Sequence, residues 1–521
     1  MRGHQSGGGH WRHMARTRPM SCRLRMGLIL FCVIVAACRG ETAALDVASS
    51  NKAWVSQSDI DFYLLRPMTE HWYGVYVTGK KAGYARSWTA VGGDFIETGV
   101  ELRLEMTGAH APAGAGKLVM RETRRYAKES PYGLKESSLT QTGGLVDDAR
   151  SLREEDGGWF VRRKIGDAEE SRKAVAGSRE TLMSHLSSAP PELSALATGA
   201  RVEVPMFNWQ FERDETVTVK AVRVRDSRRS GIITKVATLS LSYAESGLET
   251  LSEVASGSVV LEMALGEGLR LKLEEGHVAR SQIAGLNVTE TGVAVSARLG
   301  WAKNIRELRL KVTVPDGATL PSAANQRVER GEGGVLMVTC TSGVGDPLAP
   351  EEARTMIQPD DIIDSNHAAI MAQANKLTAT IDTPRDKVRA LLKWVNQHIK
   401  KYLITHLPTA SSVLDKGVGD CTEHAWLFTA LARASGIPAR SVYGLAYVGD
   451  ALGAFGYHAW AEVALDGRWE SVDPLWDEWP VDATHVKLSD SPYEVALFLG
   501  GMEIEVVGDP RRRKMDNPPQ P

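Results

Sequence analysis

The chain has 521 residues, 43% of them apolar, and 62 basic against 64 acidic side chains leave a net charge of −2. That length and apolar share suffice for two or three domains with real cores and exclude a low-complexity or collagen-like chain. The near-balanced charge leaves no basic footprint, so no nucleic-acid partner is expected.

The first element in chain order is an apolar run of about 12 residues, Met26 to Ala37, behind Arg23 and Arg25. It is too short to span a bilayer and has the length of a signal-peptide apolar region. It ends Val35-Ala36-Ala37-Cys38, which resembles the bacterial lipobox. Residues 1–37 therefore read as a lipoprotein-type signal peptide, with Cys38 lipidated as the mature N-terminus. The expected location is outside the cytoplasm, on a membrane facing the periplasm or the cell exterior, with the lipid anchor making the membrane a partner. Residues 1–37 hold six Arg and no acid, so their removal takes the net charge from −2 to −8. Residues 38–60 read as a tether.

Residues 61–345 are β-rich, as in Trp72-Tyr-Gly-Val-Tyr-Val followed by a Gly-Lys-Lys turn. Long antiparallel sheets, in the form of a curved half-barrel, are expected. Ala189-Pro-Pro and Ala197-Thr-Gly-Ala mark a break near 180–200 that would split the region into two subdomains. A structural support is favoured here over a site for an apolar or peptide ligand. Cys340, in Val335-Leu-Met-Val-Thr-Cys, reads as a buried strand residue.

Residues 350–505 read as a catalytic domain and 506–521 as a solvated tail. Thr383-Pro384 starts a helix with Val388, Leu391, Leu392, Val395 and Ile399 on one stripe. It is expected to pack against a second helix, for which Asp420 is a good N-cap and Glu423 completes a capping box. Trp426, Leu427, Ala430, Leu431 and Ala434 recur at helical spacing, and Gly436 and Pro438 end the run. Cys421 falls in the first turn, where unpaired N–H groups and the helix dipole favour a thiolate and could stabilise an oxyanion. Strands follow at Arg440–Val448, Tyr457–Leu465 and Arg468–Asp473, with a Gly-rich loop, 449–456, between the first two. Asp466-Gly467 is the strongest short hairpin signal in the chain. A two-residue turn pairs Leu465 with Arg468, which sets Trp460 opposite Asp473 and His458 on the same face, diagonal to Asp473.

A thiol at a helix start, then a His, then an Asp is the inventory of a thiol acyl-transfer site: Cys421 as nucleophile, His458 as base, Asp473 as its orienter. Of the neighbours, Glu423 reads as a cap, Trp460 as packing beside the imidazole, Glu462 as a buried polar partner on the same face, and His485 as a strand, loop or cleft-lining residue. His424 lies three residues after Cys421, but no second Cys/His pair completes a zinc set, so no metal is expected. No cofactor motif stands out. With Cys22 and Cys32 removed and Cys38 lipidated, Cys340 and Cys421 remain as thiols. An exported chain without a disulfide framework is consistent with a free catalytic thiol. A Cys340–Cys421 disulfide, which would inactivate the site, is left open by the sequence.

Five segments carry a resemblance: Gly-Asp-Cys-Thr-Glu-His-Ala at 419–425, Arg-Ala-Ser-Gly-Ile-Pro-Ala-Arg at 433–440, Tyr-His-Ala-Trp-Ala-Glu-Val at 457–463, Trp-Glu-Ser-Val-Asp-Pro at 469–474 and Asp-Ala-Thr-His-Val-Lys-Leu at 482–488. Together they resemble the bacterial branch of the transglutaminase-like superfamily of papain-type cysteine enzymes, over roughly 350–490. The resemblance implies an α+β fold, a papain-like core at the C-terminal end preceded by mainly antiparallel β domains, with Cys421, His458 and Asp473 in the roles above. Two departures stand out. Leu475-Trp476-Asp477 follows Asp473-Pro474 where the family tends to carry a small polar residue and an aromatic, so the cleft wall would differ. Trp394, the one nearby candidate for the second oxyanion donor used by eukaryotic members, lies in a separate helix.

The function expected is a thiol enzyme acting on protein or peptide amide bonds through a thioester, by acyl transfer or by hydrolysis. The rival is a non-catalytic envelope binding or assembly module with a vestigial triad.

Overall fold

The computed structural model describes residues 54–508 except 66–67, 108–115, 144–146, 166–167, 175–176, 210–211, 230–231, 245–248, 288–290, 316–317, 402–408 and 493. The signal peptide, Cys38, most of the tether and nearly all of the tail lie outside the described residues. Among the described residues, no helix is long and apolar enough to cross a membrane. Val55 and Ile60, at the end of the segment read as a tether, are buried.

The first half of the chain forms a 15-stranded sheet, fourteen strands of which follow one path. Neighbours on that path pair antiparallel. Met68–Val77 (β1) joins the two halves of the sheet by pairing with Leu269–Glu274 (β2), from Trp72 opposite Glu274 to Val77 opposite Leu269. Alternation explains the packing: Tyr73, Val75 and Val77 are buried on one face while Trp72 and Tyr76 are half-exposed on the other. The stretch 180–200, expected as a break, holds a short helix, Leu182–Ser187, between the two strands that edge the sheet. Hydrogen bonding is continuous across the halves, and although residues such as Val217, Leu239 and Val254 form a cluster of their own, Phe207, Trp209, Leu265 and Leu269 join the cluster of the first half.

The second half combines helices with a six-stranded sheet. Helix α1, Pro384–His398, is capped by Thr383 and buries Val388, Leu391, Leu392 and Val395. These side chains join Trp426, Leu427 and Leu431 of helix α2, Cys421–Ala434, in one apolar cluster. The sheet contains Ala439–Tyr447 (β3), Ala454–Leu465 (β4), Arg468–Val472 (β5) and Val486–Ser489 (β6), with β4 between β3 and β5. β4 starts three residues before the expected position because Gly456 stays in the ladder opposite Ala446. β5 ends one residue early, at Val472.

Three pairings tie this sheet and its surroundings to residues ahead of 350. Val293–Ala294 pairs with the start of β4, Val344–Pro347 with β5, and Glu503–Val506 with Glu307–Thr313. Sequence periodicity cannot see such pairings, since each needs a partner more than 100 residues away.

Gly444 fixes the spacing beneath the site. It stands opposite His458, and a Cβ there would lie 2.1 Å from the Val486 carbonyl oxygen and 2.9 Å from the Trp460 ring. Gly444→Ala is therefore expected to push β6 and Trp460 away and to destabilise the fold by roughly 1–3 kcal/mol. Thermal denaturation measures this, and an unchanged midpoint would refute the close approach.

Candidate active site

The site begins with the capping box that starts α2. Asp420 Oδ1 accepts from the Thr422 amide at 3.0 Å, and Glu423 Oε2 accepts from the Asp420 amide at 2.9 Å. This local bonding sets Cys421 as the first helical residue, 4% exposed. The helix packs on β4, and the Ala459 backbone there acts on the Cys421 thiol in the direction that favours the thiolate. Ala459 follows His458, so the thiol lies against the backbone that carries the imidazole.

His458 and Asp473 meet through the hairpin. Asp466 and Gly467 adopt positive φ, 52° and 72°, and pair Leu465 with Arg468 and Ala461 with Val472. Asp473 then leaves the ladder and exchanges two backbone bonds with Glu478, at 2.9 and 3.1 Å. From there its Oδ2 accepts from His458 Nε2 at 2.8 Å. Its Oδ1 accepts from the amides of Leu475 and Trp476, at 2.8 and 3.0 Å. With Nε2 engaged, Nδ1 is the His458 nitrogen left to take a proton.

Asp473 and His458 are 0% and 1% exposed. Burial alone would raise the Asp473 carboxyl, but His458 and His485 outweigh it and hold the group well below the usual carboxylate range. Cys421 departs from the thiolate expectation. Burial, with the negative charge of Asp420 next, pushes its thiol well above the ordinary value, and the Ala459 backbone offsets only part of this. A helix N-terminus contributes roughly 0.3–1 kcal/mol, too little to overcome full desolvation.

The other expected residues separate. Trp460 lies nearly parallel to His458, with ring centroids 6.3 Å apart. Glu462 turns to an ion cluster instead, 2.7 Å from Arg440 and 3.1 Å from Lys487. His424 Nδ1 lies 2.5 Å from the Asp420 carbonyl oxygen, and burial lowers its pKa to about 4. His485 is buried beside Asp473, 3.5 Å from Oδ2. Trp394 stacks on His398, with centroids 4.2 Å apart. Cys340 is free and buried, its thiol pushed up to about 12 by burial; Cys421 is also free.

Two contacts were not placed from the sequence, which offered Trp476 only as part of a changed cleft wall and did not name Asn396. Trp476 stacks on His458 with centroids 4.2 Å apart and an interplanar angle of 13°. Its signal was an aromatic three residues after an Asp that can cap its own following turn. Asn396 of α1 donates to the Pro474 and Leu475 carbonyls at 3.1 and 2.8 Å and so braces the turn behind Asp473. Nothing in the spacing points to it.

Among the described residues, His458, Asp473 and His485 are the group whose donor atoms lie close enough for a metal, within 4.8 Å of one another. Both imidazoles also lie within ion-pair range of the same carboxylate oxygen, His458 Nε2 at 2.8 Å and His485 Nε2 at 3.5 Å from Asp473 Oδ2.

Residues 371–474 match the family model described as the transglutaminase-like superfamily. No curated protein matches the chain. Among solved structures, a provisionally assigned cysteine protease from Cytophaga hutchinsonii is 17% identical over 38% of this chain and 82% of its own, with a TM-score of 0.28. A β-barrel-like protein from Brucella abortus, of a domain of unknown function, is 12% identical over 40% of this chain and 96% of its own, with a TM-score of 0.28. A provisionally assigned protease from Parabacteroides distasonis is 11% identical over 68% of this chain and 69% of its own, with a TM-score of 0.19. Likenesses at these TM-scores carry no argument about fold or chemistry.

Asp473 stabilises the fold above its unfolded pKa of about 4, and the contribution is lost as the pH falls toward its depressed folded value. Asp473→Asn is thus expected to cost roughly 3 kcal/mol near neutral pH, with the difference from wild type shrinking below about pH 4. Thermal melts at both pH values test this, and a difference that does not change with pH would refute it.

Proposed function

We propose, from the transglutaminase-like domain at residues 371–474, an exported thiol enzyme that cleaves or transfers acyl groups at protein or peptide amide bonds. The coarse class, a cysteine hydrolase or transferase, follows from that domain. The papain-like arrangement, the triad and the thioester route are this reading's finer content. So are export and anchoring through Cys38.

One observation carries the reading. His458 is held through Nε2 by a buried carboxylate at 2.8 Å, and the backbone of the next residue, Ala459, lies near enough to Cys421 to favour its thiolate. In the proposed step the Cys421 thiol gives its proton to His458 Nδ1 as sulfur attacks the carbonyl carbon. The carbon–nitrogen bond breaks, and His458 returns the proton to the leaving amine. The thioester then passes to a primary amine or to water. Asp473 holds the ring and stabilises the imidazolium, and the Cys421 amide at the helix start is the proposed oxyanion donor. Because burial pushes the thiol well above its ordinary value, attack is coupled to proton removal in this reading.

A second reading, a binding or assembly module with a vestigial triad, draws on the burial of Cys421 and its raised thiol. Turnover of a donor peptide, with and without an added primary amine, separates the two. Enzyme activity predicts released amine or a new amide in wild type and a loss of at least about a hundredfold in Cys421→Ala and His458→Ala. A folded Cys421→Ala chain that retains full biological function would favour the module.

A further inference from the structure

We propose that His485 is a positioning residue for the Cys421–His458 pair: an imidazolium held between Asp473 and Asp482 that fixes the Asp473 carboxylate and places a permanent positive charge behind the reacting groups. This rests on the enzyme reading given above.

Asp473 Oδ2 serves two imidazoles. It accepts from His458 Nε2 at 2.8 Å, and His485 Nε2 lies 3.5 Å away, long for a hydrogen bond but well within ion-pair range. His485 Nδ1 faces the other way, 3.2 Å from the Asp482 carbonyl oxygen and 3.5 Å from its Oδ1. Asp482 is itself fixed, since its Oδ1 accepts from the Thr484 amide and hydroxyl at 2.8 and 2.6 Å. An imidazole with a carboxylate at each nitrogen keeps both protons.

Two indoles hold the ring in place. Trp460 and Trp476 meet His485 edge-on, with centroids 5.2 and 5.4 Å away and angles of 80° and 70°. The same two rings lie nearly parallel to His458, so one aromatic frame sets both imidazoles.

The charged and titratable groups around His485 come from several elements. Asp473 follows β5, Asp482 and Glu478 lie in the loop before β6, and His458 stands on β4 with its ring centroid 5.7 Å away. Lys303 sits beyond, 3.4 Å from Glu478. The two facing carboxylates dominate: burial alone would lower His485, and the nearby Asp473 and Asp482 push it up to about 10.

The charge has a direction of effect. A cation beside the pair favours the Cys421 thiolate and disfavours protonated His458. His485→Gln removes the charge and keeps a polar side chain. The acid limb of Cys421 reactivity then moves to higher pH because His458, which must lose its proton to act as the base, holds it more tightly. The alkaline limb also moves up because the thiolate loses support. A residue that only packed would lower the rate at every pH without moving either limb.

The test uses the full chain as wild type, His485→Gln and Asp482→Asn. Iodoacetamide labelling of Cys421, read by mass spectrometry from about pH 4 to about pH 11, gives the limbs. Histidine-labelled NMR, with the His485 signal assigned by its loss in His485→Gln, gives the protonation state. Expected are a His485 ring still protonated well above about pH 8 and both limbs raised by about half a unit or more in His485→Gln. Should His485→Gln not fold, Asp482→Asn carries the test, because losing one carboxylate brings the remaining titration down. A His485 ring titrating near about pH 6.5 overturns the inference. So do limbs that stay in place while labelling still depends on His458. Labelling indifferent to His458→Ala instead sinks the enzyme reading, and this inference with it.

Discussion

One buried carboxylate organises the site. Asp473 is fully enclosed, yet both its oxygens are engaged, Oδ2 by imidazoles and Oδ1 by the amides of Leu475 and Trp476. An isolated carboxylate in this position would be costly, and the surrounding donors make it tolerable. The same bonds shape the cleft. By turning the chain at Leu475 and Trp476, Oδ1 brings the indole onto the face of the imidazole that Oδ2 orients. The wall of the cleft and the orientation of His458 are therefore set by the same side chain. Asn396 and Lys401, which bond the Leu475 carbonyl at 2.8 and 2.6 Å, link that turn to α1 and the segment after it.

The sheet delivers this carboxylate to the helix. β4 lies in the middle of the six-stranded sheet and carries His458, Trp460 and Glu462 two residues apart on one face. Those three positions serve different ends. His458 meets Asp473, Trp460 fills the space Gly444 leaves open, and Glu462 is neutralised by Arg440 and Lys487. The two groups of contacts are separate: Glu462 pairs with Arg440 and Lys487, and Asp473 with the imidazoles. Closure of the sheet by Val344–Pro347 and Val293–Ala294 means that the site also depends on chain well upstream of the helix that holds the thiol.

What the sequence disclosed was local. The Asp420/Glu423 capping box, the α1 stripe and the Asp466-Gly467 turn each depend on residues within a few positions, and the hairpin register follows from the turn alone. The diagonal approach of His458 to Asp473 could be read because side-chain alternation carries the register four residues from the turn. It stops at Val472, where Asp473 swings toward Glu478, and beyond that point the reading lost Trp476. His485 was read as a residue of uncertain place because both of its carboxylate partners are set by loop geometry. The charge state of Cys421 was misread for another reason. Helix position is visible in a sequence, whereas the depth of burial is a property of everything packed around it.

That misreading exposes a conflict built into the start of α2. A good cap needs an acceptor at 420 and another at 423, and both positions here are acidic and buried, 2% and 0% exposed. Two enclosed carboxylates repel, and burial together with Asp420 pushes the Glu423 carboxyl well above its usual range. After burial itself, the negative charge of Asp420, adjoining Cys421, opposes the thiolate formation that the helix dipole favours. The cap that places the sulfur therefore adds to the burial that disfavours its thiolate. A neutral thiol is a poor nucleophile alone. Its reactivity must come from a base that removes the proton during attack, which is why the orientation of a single imidazole by Asp473 weighs more here than any pre-ionisation of Cys421.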